Sequence, residues 1–356
     1  MVDKITPRQQ TILSLLVREY VGSAAPVGSR TLVEKYNLSV SSATVRNELA
    51  KLEDLGYLTH PHTSAGRVPT DLGYRYFVER LLHETELPLE ERRTIAHQFQ
   101  QVRREISEWM PLAASVLTHS TSNAALVTAP QSDEARYRHL QLISTQGRIV
   151  LLILVLEGGI DRQQTLNLAE PMPQDALSEA SDRLNQVCAG LTADEIELRI
   201  PTLPTLEADV ARLVTQMLRV TAPTYGDIYR DGLSQLLREP EFLERVYAEG
   251  VMRIIEERGF LNTVLNETLD PTVGSVRVVI GEEGRFDELQ CCTLIISRYG
   301  VAGLTTGALG VLGPTRMGYG RAISAVRYVT SLLSDMVYDL YVTESESAPP
   351  ISGRAS

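Results

Sequence analysis

The chain has 356 residues, 43% of them hydrophobic and 22% charged, with a formal charge of -11. That length is ample for two or three domains with sizeable cores; no run of about 18 apolar residues appears, and the N-terminal MVDKITPRQQ has neither an apolar signal core nor a cleavage site, so no membrane span and no export are expected and the protein is placed in the cytoplasm. Three cysteines, Cys188 and the adjacent Cys291 and Cys292, make neither CxxC spacing nor an even framework, so they imply neither zinc nor a disulfide scaffold and read as buried small hydrophobes.

The acid is unevenly spread. Residues 1–80 hold ten Lys and Arg against eight Asp and Glu, net +2, whereas the remainder holds 24 against 37, net -13. All three lysines, Lys4, Lys35 and Lys51, lie in the N-terminal part. A +2 domain is only mildly basic beside the strongly basic footprint of many DNA-binding domains, so charge alone does not assign a function.

Thr6, Pro7 and Gln9 open a first helix. Thr6 can cap the amide of residue 9 while Gln9 reaches back, and Pro7 stands where a missing N–H costs nothing. The stripe Ile12, Leu13, Leu16, Val17 and Tyr20 follows, and Gly22 and Pro26 end the element. Ser29 is expected to cap a second helix over 30–36 that buries Leu32, Val33 and Tyr36, with Asn37 closing it in the left-handed conformation. A short link then reaches Ser41 and a third helix, the spacing of a helix-turn-helix.

On that third helix Val45, Leu49 and Leu52 share one side, with Leu55 adjoining; Ala43, Asn47, Ala50 and Asp54 point the other way, flanked by Thr44, Arg46 and Lys51. Small outer residues let a helix approach base edges. Asn can pair bidentately with adenine, Arg with guanine, and Ala or Thr can touch a thymine methyl. Ser41 and Ser42, beside free helix amides, suit phosphate oxygens, while Glu53 and Asp54 lie at the far end, where they repel DNA least. The alternative for such a face is a solvated amphipathic helix. Gly56 ends the helix, and a hairpin follows: Tyr57–Thr59, a turn over 60–66, and Arg67–Val68 before Pro69. Helix-turn-helix plus a two-stranded wing is a winged helix, and a wing carrying His62, Thr63 and Arg67 can follow the backbone or enter the minor groove. His60 and His62 otherwise read as surface turn residues.

Further on, Thr70 begins a helix with Tyr74, Phe77, Val78, Leu81 and Leu82 on one stripe. From Ile95 the apolar positions Phe99, Val102, Ile106, Trp109, Ala113 and Val116 form a heptad-like seam, expected to kink or split at Pro111 and to pack within its own domain or against another helix. Strands are expected at 124–127, 140–144 and 148–156, mainly helix over 171–269, strands again at 275–280 and 292–297 and in the glycine-rich 300–313, and a final helix over about 320–341. Sheet, helical interruption, sheet and helix is the pattern of an insertion within an α+β domain.

The stretch VSSATVRNELAKLEDLGYLTHPHTSAGRVPT, preceded by PVGSRTL and followed by DLGYRYFV, closely resembles the heat-inducible transcription repressor family, HrcA. The resemblance resumes in GLSQLLREPEF (232–242), IGEEGRFDELQCCTLIISRYG (280–300) and GALGVLGPTRMGYGRAISAVRYV (307–329). It is looser over 85–230 and departs at Gly284 and Gly318, where the family pattern carries Asn and Asp. It implies an α+β multidomain chain: a winged-helix domain with connector helix (1–84), a GAF-like domain in two parts (85–170 and 270–343) and a mainly helical dimerising domain inserted between them (171–269). The tail over 344–356 is rich in Ser, Glu and Pro and is expected to be disordered. The function it implies is that of a homodimeric repressor on an inverted-repeat operator of chaperone operons, with the chaperonin as the partner that promotes its active form until heat diverts it.

Catalysis finds little support. GALGVLGPTRMGYGRA could cradle a phosphate with its glycines and Arg316 but lacks the GK[ST] of a P-loop, and tight turns between sheet and helix explain it as well. No Cys/His or Ser/His/Asp arrangement can be assigned, the six histidines show no metal spacing, and no cofactor is expected. An enzyme with a DNA-binding arm, like the repressing biotin ligases, would need a ligase fingerprint that is absent. A ligand-sensing repressor using the GAF-like pocket is the other reading.

Overall fold

The computed structural model describes residues 5–61, 66–82, 86–102, 105–132, 135–157, 161–219 and 225–340. Helix α1 (Pro7–Ser23) starts as its sequence dictates: Thr6 N–H donates to Gln9 Oε1 at 2.8 Å and Gln9 N–H to Thr6 Oγ1 at 3.3 Å, a complete capping box. In α2 (Ser29–Tyr36) the cap is Gly28, without a side-chain bond, and Ser29 is the first helical residue; Asn37 closes it at φ +48°. Helix α3 (Ser42–Asp54) follows, then β1 (Leu58–Thr59) and β2 (Val68–Pro69), an antiparallel pair with Leu58 opposite Pro69. The hairpin is shorter than expected because Tyr57 N–H turns back to Leu52 O (2.9 Å) and Arg67 pairs with Val27 instead.

Helix α4 (Asp71–Tyr76), capped by Thr70, continues into a wider π turn over Phe77–Leu81. The seam expected to break at Pro111 breaks earlier. Helix α5 (Leu89–Gln101) ends as Val102 turns extended, and α6 (Ile106–Thr121) runs through Pro111. Trp109, Met110, Ala113 and Ala114 are all buried around the proline, and that packing outweighs one lost helical bond. Ile95, Phe99, Trp109, Ala113 and Val116 are buried within their own unit, not left for a second helix.

The chain forms two compact units, Met1–Pro130 with Asp227–Val301 and Gly307–Ser356, and Gln131–Gly226 with Ala302–Thr306. After β3 (Ala124–Thr128) the second unit contains β4 (Gln131–Ser132), β5 (Tyr137–Gln146), β6 (Ile149–Leu156), β7 (Asp161–Asn167), α7 (Gln174–Cys188), α8 (Ala193–Arg199) and α9 (Thr205–Arg219). Strands β5, β6 and β7 make an antiparallel sheet in that order. Val150, Leu152, Leu154 and Leu156 on one face of β6 share a core with Leu177, Leu184, Val210 and Val214 from the helices. This excursion differs from the one expected at 171–269. It takes in the strands at 137–156, which bury their apolar face on α7–α9, and it releases 227–269.

Those released residues return to the larger unit as β8 (Ile228–Asp231), α10 (Leu233–Leu236), α11 (Arg245–Glu256) and α12 (Arg258–Thr268); β9 (Val276–Ile280), β10 (Cys292–Val301), β11 (Thr305–Pro314) and α13 (Tyr319–Tyr338) complete the described elements. The sheet order is β8-β3-β11-β10-β9, with α6 packed on β3 and α13 on β10. The tail assigned to 344–356 lies outside the described residues.

The glycine-rich run is therefore a strand, and every residue of β11 is buried. A Cβ at Gly307 would meet the Tyr299 ring at 2.6 Å, and one at Gly310 would collide with the Ile295 carbonyl. Tyr299 in turn donates its hydroxyl to Thr128 O (2.5 Å), tying β10 to β3 across β11. Gly310→Ala is expected to lower stability by about 1–3 kcal/mol through overpacking against backbone, read as a fall in Tm of the full chain.

Candidate nucleic-acid interface

Helix α3 is held from below. Val45, Leu49 and Leu52 are buried, and α1 and α2 pack on that side. Glu19 on α1 fixes α2 through Lys35 Nζ (2.7 Å) and the Tyr36 hydroxyl (3.0 Å). The rotation this imposes leaves Ser41, Ser42, Ala43, Arg46, Asn47 and Lys51 exposed and Thr44 half-buried, so the residues singled out on this helix share one solvent-facing surface. Arg46, Asn47 and Ser42 make no side-chain hydrogen bond or ion pair with any described residue. Lys51 Nζ lies 3.5 Å from Glu48 Oε1 on the same helix.

Ser41 is not a free phosphate ligand. It caps α3: its Oγ accepts the Thr44 amide at 3.1 Å and lies 2.9 Å from Thr44 Oγ1. Arg67 likewise has a structural partner. Its Nε donates to Glu53 Oε2 at 2.8 Å, a second nitrogen lies 2.7 Å from the same oxygen, and His60 Nδ1 approaches the other carboxylate oxygen. Arg67 thus sits at the C-terminal end of α3, while Ser41–Asn47 occupy its start. His62 and Thr63 lie outside the described residues.

The wing is also pinned to the link between α1 and α2. Val27 and Arg67 exchange two backbone hydrogen bonds of 2.9 Å, and a Cβ at Gly66 would stand 2.5 Å from the Val27 carbonyl carbon, so only glycine permits this approach. Sequence reasoning missed Glu53, Val27 and Gly66. Glu53 was legible in principle, because it follows Leu49 by four residues and so turns toward the domain.

Arg316, considered above for a phosphate cradle, is instead held by Glu241 (2.6 Å) and Glu239 (2.5 Å) and is only 14% exposed. Among the described residues no group of three His, Cys, Asp or Glu side chains could hold a metal, and no helix is long and apolar enough to cross a membrane.

Burial pushes the Glu53 carboxyl up, but the hydrogen bonds from His60 and Arg67 and the charge of Arg67 outweigh it and hold Glu53 below its ordinary value. A depressed carboxyl stabilises the fold fully above its unfolded pKa of about 4.3 and loses that contribution as pH falls through the lower folded value. Glu53→Gln is expected to reduce Tm at neutral pH. The gap to the unmutated chain should close on acidification; a gap that stays constant through the acid range would contradict an ionic role.

The family model described as the HrcA protein C-terminal domain matches residues 107–323. The heat-inducible transcription repressor HrcA of Roseiflexus castenholzii is 44% identical over 356 residues, covering 98% of each chain, and that of Chloroflexus aggregans is 41% identical over 358 residues, covering 96% of this chain and 95% of its own. A crystal structure described only as that of a hypothetical protein matches with a TM-score of 0.58 at 23% identity, covering 94% of this chain and 99% of the other, which extends the likeness to the fold. Full-length similarity at this level to transcription repressors, which are not enzymes, places the chain in the HrcA family of heat-inducible transcription repressors.

Proposed function

We propose that this repressor acts as a homodimer that reads an inverted-repeat operator of chaperone operons through a winged helix, with the chaperonin promoting its active form. The observation that carries the reading is the outer face of α3, where Arg46 and Asn47 stand exposed and without partners among the described residues on a helix whose other side is buried. Unpaired bidentate groups beside Ala43 and Thr44 match base edges in a major groove. Ser42 and Lys51 flank them toward the phosphates, Ser41 sets the helix start, and Arg67 with His62 and Thr63 would carry the wing along the backbone. The chaperonin's part rests on the family alone.

The larger unit's sheet with α6 and α13 would serve as the GAF-like domain, and the second unit as the dimerising one. Strand β6 supports the latter. Its core face is covered, while Ile149, Leu151, Ile153 and Val155 line the opposite face with Ile143 beside Leu151, half-buried or, for Ile149, 42% exposed. An aliphatic stripe left on one sheet face suits a self-complementary two-fold contact. Two heads related by that axis would meet successive major grooves, which requires a palindromic operator.

A second, ligand-sensing reading draws on a cleft of about 400 Å³ bordered by Phe99, Trp109, Leu332 and Met336, with Asp335 and Asp339 at its polar side. It lies among α5, α6 and α13, not on the sheet. A thermal-shift screen with small metabolites tests it: a ligand-dependent rise in Tm that changes operator affinity would favour it.

A base-edge contact is worth about 1–3 kcal/mol. Arg46→Ala or Asn47→Ala should therefore lower operator affinity about tenfold or more and relax preference at particular bases, whereas Lys51→Ala should weaken all duplexes alike and reduce the salt slope by about one. Equal losses on operator and random duplex for all three variants, measured by fluorescence anisotropy, would contradict the assignment. Ile153→Glu should split the dimer in sedimentation while leaving the far-ultraviolet spectrum unchanged; an intact dimer would remove β6 from the interface.

A further inference from the structure

The motif IGEEGRF meets the DNA-reading head. Helix α4 follows β2 directly and is built into the head: Thr70 Oγ1 donates to Gly56 O at 2.6 Å, and Gly73 lies so close under the Tyr57 carbonyl that a Cβ there would collide with it. The other side of α4 faces the end of β9 and the turn after it. Asp71 Oδ2 accepts the Glu282 amide at 2.9 Å, and Gly281, at φ +51°, is pressed so closely on the Asp71 carboxylate that any side chain there would strike it. Arg75 donates from Nε to Glu283 Oε1 (2.8 Å) and from a terminal nitrogen to the Val278 carbonyl (2.7 Å), and reaches the second Glu283 oxygen as well. Glu283 is itself oriented by the Ile280 amide (3.2 Å). Tyr74, between these two polar contacts, packs on Tyr319 at the start of α13 with ring centroids 5.7 Å apart.

We propose that Asp71, Arg75 and Glu283 are positioning residues for operator binding: they lock the head onto the sheet of the larger unit, which removes one source of freedom in the spacing between the two heads of a dimer. The proposal rests on the repressor reading. None of the three lies on the reading face of α3, and each acts through the orientation of α4. A bidentate Arg–carboxylate pair fixes angle as well as distance, and with the Asp71–Glu282 contact and the tyrosine stack it restrains α4 at three points. A head restrained in this way loses little freedom on binding a matched operator, which raises affinity for that spacing and penalises others. Simple packing would act differently, stabilising the head without making its binding depend on half-site separation.

The test uses the full-length protein with Arg75→Gln, Glu283→Gln and the double variant, each checked for unchanged dimerisation. Binding is measured to a duplex carrying the inverted repeat from upstream of a chaperone operon, to the same duplex with its spacer lengthened or shortened by a base pair, and to a duplex carrying a single arm. Each single variant should lose about tenfold on the native spacing, discriminate less between spacers, and bind the single arm as the unmutated chain does. The double variant should be no worse than Arg75→Gln, because that single change already removes both the pair with Glu283 and the contact with the Val278 carbonyl. Amide exchange at Glu282 and across 71–76 should speed up in all three. Unchanged spacer discrimination, tighter binding at the native spacing, or an equal loss on the single arm would overturn the lock while leaving the repressor reading intact. No preference of the unmutated protein for the inverted repeat over scrambled DNA would overturn both.

Discussion

The buried side of α3 is the constraint on which the head depends. Val45, Leu49 and Leu52 are at most 2% exposed, and burying each such side chain stabilises by about 1.5–3 kcal/mol, so turning the helix about its axis would forfeit most of that energy. With rotation fixed, the outward positions follow from helical geometry alone. The same rotation points Glu53 at the hairpin, where it gathers His60 and Arg67 and so sets where the wing begins. One apolar stripe thus determines both the outward surface of α3 and the placement of the hairpin beside it.

The body solves a different problem. Its central strand β11 is buried along its whole length, and glycines at 307, 310 and 313 leave space that Tyr299, the β10 backbone and Asn123 fill. A mildly basic head joined to a strongly acidic remainder favours approach to DNA by the head, because the net negative charge of the remainder repels phosphate. Restraint of the head by α4 and an asymmetric charge therefore act in the same direction, each narrowing the ways in which the chain can dock.

Some local signals in the sequence proved reliable: the Thr6 box, the Asn37 closure and the buried stripe of α3 depend on neighbours within a few residues. Others did not, since Ser29, expected as a cap, is the first helical residue of α2, and Ser41, read as a phosphate ligand, is the cap of α3. What could not be read there involves partners far along the chain. The Asp71–Glu282 and Arg75–Glu283 contacts join residues more than two hundred positions apart, and Arg67 meets Val27 across the head. The division of the chain was missed for a related reason: the apolar strand β6 looks the same whichever sheet receives it, and only its contact with α7–α9 assigns it to the second unit. Pro111 misled because a proline's local cost is visible in sequence, while the packing that offsets it is not. At Gly318 α13 begins without a side-chain cap, and a Cβ there would meet nothing within 4 Å.

The central claim is that the exposed face of α3 reads a specific DNA sequence. The most direct measurement is equilibrium binding of the unmutated protein to the inverted-repeat duplex and to a scrambled duplex of equal length and composition, across a range of salt. The account predicts that the inverted repeat binds about a thousandfold more tightly or better, the low end of the roughly 10³–10⁷ that separates specific from non-specific binding, and that both affinities fall with salt. Equal affinity for the two duplexes by a folded dimer would contradict it.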